Sequence, residues 1–474
     1  MLWSCGETRE ITGDLLIRHV NLIDLSGGEV LPACSVLIAN DRIAFILDPS
    51  QNSDIRLKAP KSIDATGMYL IPGLWDMHAH PDDPEVWRMQ PTEEAKNTLL
   101  PLFVVNGVTG IRDMGGDIGL VKRWRAAYEK GELLAPQIVA GGPLLDGPNP
   151  MWDGSVGISG PEAVKPVVDS LINQGVDFLK VYSLLPRETY LALSTYANEI
   201  GFPFVGHVPY TVLPSEAAQT GMKGQEHLLE ILRECADPPP QALLDSLEGL
   251  DDRIERSNGL NAFRLATYRE SRADSLFALF RELGTWHCPT LSMWQKNAWY
   301  ESELEKDRPL LEYLPPYLRT YWTPEVNDHL KNRDREAYIA IKQRLYERYL
   351  QMVGRMQELG VPLLAGTDMG ANPLCHPGEG VHNELEALVE AGLTPLQALR
   401  TATLNPAAFL GIEADYGTLE TGKKADLVVL GGNPLESIGQ TRNIAFVLRD
   451  GQLLDAARLS AIRQEILAQN RNEP

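Results

Sequence analysis

Cysteine is scarce in this chain of 474 residues, and the few present do not pair by spacing. Cys5, Cys34, Cys235, Cys288 and Cys375 are odd in number and widely scattered. No CxxC occurs, which argues against a disulfide framework and against a thiolate zinc site. Also missing is any apolar run long enough to span a bilayer. Positive charge is in deficit, with 43 Lys and Arg against 64 Asp and Glu and a formal net charge of −21. Such a chain is a poor partner for nucleic acid or an anionic membrane surface, which leaves a small molecule as the expected partner.

A basic and apolar leader is absent ahead of Leu2-Trp3-Ser4-Cys5-Gly6, a stretch that has the look of the tail of a lipoprotein cleavage site. A cytoplasmic protein is expected, or an exported one if the sequence begins inside such a leader. Composition is otherwise that of an ordinary globular protein, 44% hydrophobic and 23% charged, and the length suits one large domain with a smaller one beside it.

The strands are legible from alternation. Between Asp14 and Leu70 the stretches LLIRHVNLIDL and CSVLIANDRIAFIL alternate apolar and polar residues, broken at Ser26-Gly27-Gly28 and Asn40-Asp41. The same texture returns at Gly417–Leu419, Ala425–Leu430 and Ile444–Asp450. A composite β-domain of residues 1–70 and 412–456 is therefore expected around a middle of residues 71–411, with a helical tail at 457–474. In the middle, apolar runs recur at Leu70–His80, Gly107–Asp113, Gln137–Gly141, Asp177–Tyr182, Pro203–His207, Met222–His227, Thr285–Thr290 and Val361–Asp368. Helix-like text separates them, as at Pro161–Gln174, Arg187–Ile200 and Pro214–Gln219. Eight strands alternating with helices predict an α/β fold, a (β/α)8 TIM-type barrel, with a doubly wound sheet as the alternative. The connection Leu291–Gly360 is long, helical and aromatic; it is expected to lie over the barrel's carboxyl face or to pack as its own core.

Ionisable residues fall at the ends of these runs. His78-Ala79-His80 closes the first, and on a strand residues i and i+2 face the same way, so both imidazoles can clasp one metal ion. Lys180, His207, His227 and Asp368 occupy the corresponding ends of later runs. A buried polar group costs several kcal/mol unless paired or ligating, roughly 2–7 for a neutral one, and six such groups are poorly explained as satisfied core residues.

This set of residues resembles the amidohydrolase superfamily. So do Gly67–Leu74, Gly107–Asp113, Thr401-Ala402-Thr403-Leu404-Asn405-Pro406-Ala407 and Gly417–Val428. The likeness runs from about Leu15 to Leu454 and is nearest the imidazolonepropionase-like and zinc prolidase-like branch. It implies a barrel with a β-sandwich built from both termini. It also implies two Zn2+ (Mn2+ or Co2+ as substitutes), one held by His78, His80 and Asp368, the other by His207 and His227. Lys180, carboxylated on its amine by CO2, would bridge them; a clamp for a substrate carboxylate is the other reading of Lys180. The implied reaction is hydrolysis of an amide or peptide bond, in a dipeptide, an Xaa-Pro peptide or an N-acyl amino acid. A bridging hydroxide would attack, with Asp368 as general base and then acid.

The alternative is a mononuclear cyclic-amide hydrolase or deaminase, with His78, His80, His207 and Asp368 on one metal while Glu226 and His227 handle protons. Tyr182 faces the side of Lys180 and can donate to a developing oxyanion or simply pack. Arg112 is either a substrate-carboxylate ligand or a structural partner of Asp113. His382 and Glu384 read as supporting or helix-capping groups. His287 and His376, near predicted strand ends, can touch substrate, whereas His19 and His329 have no ligand context. Homo-oligomerisation is compatible with all of this.

Overall fold

The computed structural model describes residues 9–472 except 52, 53, 251 and 334. The Leu2–Gly6 stretch discussed above therefore lies outside the described residues. Among those described, no helix is long and apolar enough to cross a membrane.

Strands from both ends of the chain share one sheet. Leu15–Ile23, Val30–Ala39, Arg42–Leu47, Lys61–Asp64 and Tyr69–Pro72 join Leu427–Leu430, Ile444–Arg449 and Gln452–Leu454 in an eight-stranded sheet. The seam between the two ends is antiparallel, Leu70 opposite Val429 and Pro72 opposite Leu427. Its apolar face buries Ile17, Val36, Leu70, Val429 and Leu448 together. The tail forms the helix Ala456–Asn472.

The middle is parallel. One sheet holds Leu74–Ala79, Val108–Asp113 and Gln137–Ala140; another runs through Leu179–Val181, Phe204–Gly206, Gly224–Glu226 and Trp286–Cys288. A backbone bond bridges from the first toward the second, Asp177 N donating to Ala140 O at 2.8 Å, and within the second Tyr182 N donates to Leu145 O at 2.8 Å. The helices Pro161–Gln174, Arg187–Glu199 and Pro214–Gln219 stand between strands, as their sequence periodicity predicts.

Two expected strands are altered. The run Leu70–His80 is not one strand but two, divided at Gly73. Residues up to Pro72 pair with the composite sheet, whereas Leu74 N donates to Gly107 O at 2.9 Å in the parallel one. A Cβ at Gly73 would lie 2.0 Å from Thr109 Oγ1, so only glycine passes between the two layers. Val361–Asp368 is extended chain rather than a laddered strand. It makes isolated bridges, His287 to Leu363 on one side and Ala79 to Met369 on the other, with Met77 N donating to Ala365 O at 2.8 Å. Small side chains explain the close approach, since a Cβ at Gly366 would come 2.7 Å from His78 Cβ and 2.4 Å from Cys288 Sγ.

The long connection at 291–360 is helical as expected, ending in the 23-residue helix Glu336–Glu358. Much of its aromatic content packs internally, Trp294 on Tyr349 and Trp299 on Tyr346.

Candidate metal centre

The parallel strands deliver ionisable residues to one end. His78 lies on Leu74–Ala79 with His80 just beyond it, Lys180 sits on Leu179–Val181, and His207 and His227 follow Phe204–Gly206 and Gly224–Glu226. Asp368 closes the extended segment. Its Oδ1 lies 3.2 Å from His78 Nε2 and 3.4 Å from His80 Nε2, while Oδ2 is 3.7 Å from His227 Nδ1. The His78 and His227 rings are 4.4 Å apart, and those of His207 and His227 4.9 Å. One donor atom each from His78, His80 and Asp368 falls within 4.8 Å of the others, a spacing able to hold a divalent ion.

Two observations fit this set to metals. His78 Nε2 and Lys180 Nζ are both buried without a hydrogen-bond partner, an expensive arrangement unless each ligates something. Burial also holds the His78 and His207 imidazoles well below the ordinary histidine range, with the neighbouring Lys180 charge adding to the effect. His227 is lowered by burial to about 4 despite the opposing Asp368 carboxylate. These three rings are neutral at pH 7, the form in which imidazole ligates. His80 differs, because its contact with Asp368 outweighs burial and raises it to about 9. Lys180 is lowered by burial to about 8, against the pull of Glu226 and Asp368.

Each histidine is oriented through its second nitrogen, a feature typical of metal-ligating imidazoles. His78 Nδ1 meets Glu226 Oε2 at 2.8 Å, His207 Nδ1 meets Ser183 Oγ at 2.9 Å, and His227 Nδ1 meets Thr290 Oγ1 at 2.9 Å. His80 Nδ1 reaches Gly115 O at 3.4 Å. His227, Thr290 and Asp368 all adopt left-handed backbone, at φ of 60°, 49° and 57°. Such strain, about 1–3 kcal/mol per residue, clusters at functional sites.

A second trio, His78, Glu226 and Cys288, is also close enough for a metal. Its chemistry is unsuitable. Burial pushes the Cys288 thiol well up, away from the thiolate, and Glu226 is taken by Arg112.

Arg112 resolves as a structural group. It is fully buried, donating to Met77 O at 2.6 Å and to both Glu226 oxygens at 2.8 and 3.0 Å, with its guanidinium 4.9 Å from the Phe409 ring centre. Removing one partner of a buried pair strands the other charge. Arg112→Ala is therefore expected to cost about 3–5 kcal/mol in denaturant unfolding. Arg112→Met combined with Glu226→Gln should recover part of that loss, and an Arg112→Ala protein as stable as the parent would contradict the pairing.

The remaining candidates separate cleanly. Tyr182 stacks on His207 with ring centres 4.2 Å apart, and its hydroxyl accepts from Trp152 Nε1 at 2.8 Å. Glu384 caps the helix Leu291–Ala298 by accepting from Leu291 N at 3.0 Å and Ser292 N at 2.7 Å. His382 bonds Thr441 Oγ1 and Asn106 O. The expectation that His287 can touch substrate is corrected: its ring is fully buried 4.4 Å from Phe280, on the face turned to the helix Glu270–Leu283. His376 is buried against Trp322 and Asp307 and is likewise turned from solvent. Ser183, Thr290 and Asn372 were not distinguishable in the sequence, because short polar residues carry no periodic or spacing signal.

With this geometry in view, the likenesses to known proteins can be placed. Residues 325–454 match the amidohydrolase family model. An imidazolonepropionase from Symbiobacterium thermophilum is 43% identical over 77 residues, 16% of this chain and only 18% of that protein. An ochratoxinase from Aspergillus niger is 23% identical over 92% of this chain and 86% of its own length. The solved structure of a bottromycin amidohydrolase superposes with a TM-score of 0.75 at 24% identity, covering 96% of this chain and 90% of that one. The chain thus carries the amidohydrolase fold, which implies a TIM-type barrel, and the resemblance drawn from its motifs to the amidohydrolase superfamily holds.

Proposed function

We propose that this chain is a binuclear, metal-dependent amidohydrolase that cuts an amide or peptide bond in a dipeptide, an Xaa-Pro peptide or an N-acyl amino acid. The architecture in this reading is a (β/α)8 barrel at 71–411 beside a β-sandwich domain of residues 1–70 and 412–456. The backbone bonds on both sides of the extended segment ending at Asp368 support closure of the barrel. His78, His80 and Asp368 hold one cation, His207 and His227 the other.

The observation that carries the reading is the Lys180 amine, fully buried and unpartnered near the lowered imidazoles of His78, His207 and His227. An ammonium cannot ligate a metal. The neutral amine, favoured by burial, can attack CO2 through its lone pair, forming an N–C bond and releasing one proton, and the resulting carbamate is an anionic oxygen donor. Bound zinc would supply an acidified water and a polarised carbonyl.

The chain's own groups do the rest. Asp368, with Oδ1 turned to the histidine Nε2 atoms, takes the proton from water and delivers it to the leaving nitrogen. Burial raises the Tyr182 phenol, which keeps it protonated and able to donate to the developing oxyanion. Glu226 argues against the mononuclear alternative. That reading asks it to carry protons, yet its carboxylate is engaged by Arg112 and by His78 Nδ1.

The test is zinc-loaded protein assayed on dipeptides, Xaa-Pro peptides and N-acyl amino acids, with cyclic amides and aminopurines alongside. Release of free amino acid from the first group is expected. Ring opening or ammonia release alone would favour the mononuclear reading.

A further inference from the structure

Asp368 has a second set of partners that the reaction does not use. Asn372 Nδ2 donates to Asp368 Oδ2 at 2.7 Å and, more weakly, to the Asp368 carbonyl at 3.3 Å. The two carboxylate oxygens thereby differ, Oδ1 lying toward the Nε2 atoms of His78 and His80, and Oδ2, 3.7 Å from His227 Nδ1, accepting from a neutral amide. An amide donor fixes the oxygen without competing for its proton.

The turn that carries Asn372 is itself clamped from the helical connection. Trp322 Nε1 donates to Gly370 O at 2.9 Å, and Asn327 Nδ2 donates to Ala371 O at 2.8 Å. From the other side, Asp83 Oδ2 accepts from Ala371 N at 2.7 Å. Trp322 and Asn327 are buried. The Trp322 ring stands edge-on to His376 with ring centres 5.2 Å apart, and His376 Nε2 is 3.5 Å from Asp307 Oδ2. Asp307 and Glu303 in turn each accept from Lys296 Nζ at 2.8 Å. A left-handed residue such as Asp368 keeps its conformation only when its surroundings over-determine it, and these bonds do so.

We propose that Asn372 is a positioning residue for Asp368, and that the helical connection at 291–360 serves the site by holding the Asn372 turn through Trp322 and Asn327. This rests on the reading of Asp368 as a metal ligand.

The test measures zinc affinity by chelator competition on the full chain, with the melting temperature of the metal-free protein recorded in parallel. Asn372→Ala is expected to weaken zinc binding by roughly 10–100-fold, the scale of a lost supporting partner. Asn372→Asp, which fills the same space with an acceptor in place of the donor, should weaken it at least as far, and it carries the test should the alanine variant fail to fold. Trp322→Phe, which keeps an aromatic six-membered ring but removes the pyrrole ring with its N–H donor to Gly370 O, should move affinity the same way by a smaller factor. In an Asp368→Ala background, Asn372→Ala should change nothing further. Parental zinc affinity in both Asn372 variants, or an equal loss in the Asp368→Ala background, overturns the positioning role. If Asp368→Ala itself leaves zinc affinity unchanged, the ligand assignment falls and the proposal with it, a result distinct from failure at Asn372 alone.

Discussion

Lys180→Ala is expected to lose bound metal and to lower amide hydrolysis by about a thousandfold or more. In the proposed reading several kcal/mol of transition-state stabilisation depend on a pair of cations, and each ~1.4 kcal/mol is tenfold in rate. The site's electrostatics give the reason. In the proposed reading, removing the Lys180 side chain takes away the bridging anion and leaves Asp368, 3.2 Å from His78 Nε2, to serve the centre without it. The proposed active form is a carbamate, so growth and storage with bicarbonate should raise the activity of the parent and leave the variant unmoved. Lys180→Glu provides the control, placing a carboxylate near the same position by a shorter stem. Partial return of metal with Lys180→Glu, beside none with Lys180→Ala, is the expected pair of results; full activity in Lys180→Ala would remove the bridge from the account.

Asp368→Asn should be nearly as damaging to the rate and far gentler to the fold. The amide has the same shape, so the backbone bond from Asp368 N to His78 O at 2.8 Å is retained. What is lost, in the proposed reading, is the base. General acid–base groups contribute about 10²–10⁴ in rate, and a drop of that order in kcat is expected with KM changed little. Asp368 is well suited to remain ionised, because contacts with His227, His80 and Lys180 overcome burial and hold its carboxyl well below the usual range. A variant in which KM rises and kcat stays level would instead make Asp368 a substrate-binding group.

How far these residues could be read before the structure depends on the kind of signal each carries. Lys180, His207, His227 and Asp368 stand out because each ends an apolar run, and a period-two pattern is a local property of the chain. The helices Pro161–Gln174 and Pro214–Gln219 were legible to the residue, each opened by a proline in the first turn. The break at Gly73 was not, because the reason for it, the side chain of Thr109, is 36 residues away in sequence. The Arg112–Glu226 pair is separated by 114 positions and forms only when the parallel strands come together. Arg112 beside Asp113 suggested a local partner; burial of both faces of the strand sends the two side chains elsewhere. Asn372 and Thr290 escape for a simpler reason. Each meets the site through side-chain hydrogen bonds alone, and nothing about an asparagine or a threonine in a loop distinguishes such bonds from those of a turn.

The central claim is two cations bridged at Lys180, and metal stoichiometry tests it most directly. Protein purified without chelator and in the presence of bicarbonate should be analysed for metal by elemental analysis and, on the intact chain, by native mass spectrometry. The account predicts close to two zinc per chain, with the mass of one CO2 added at Lys180. One tightly held metal with Lys180 unmodified would contradict it, and would direct the search for substrates to cyclic amides and deamination.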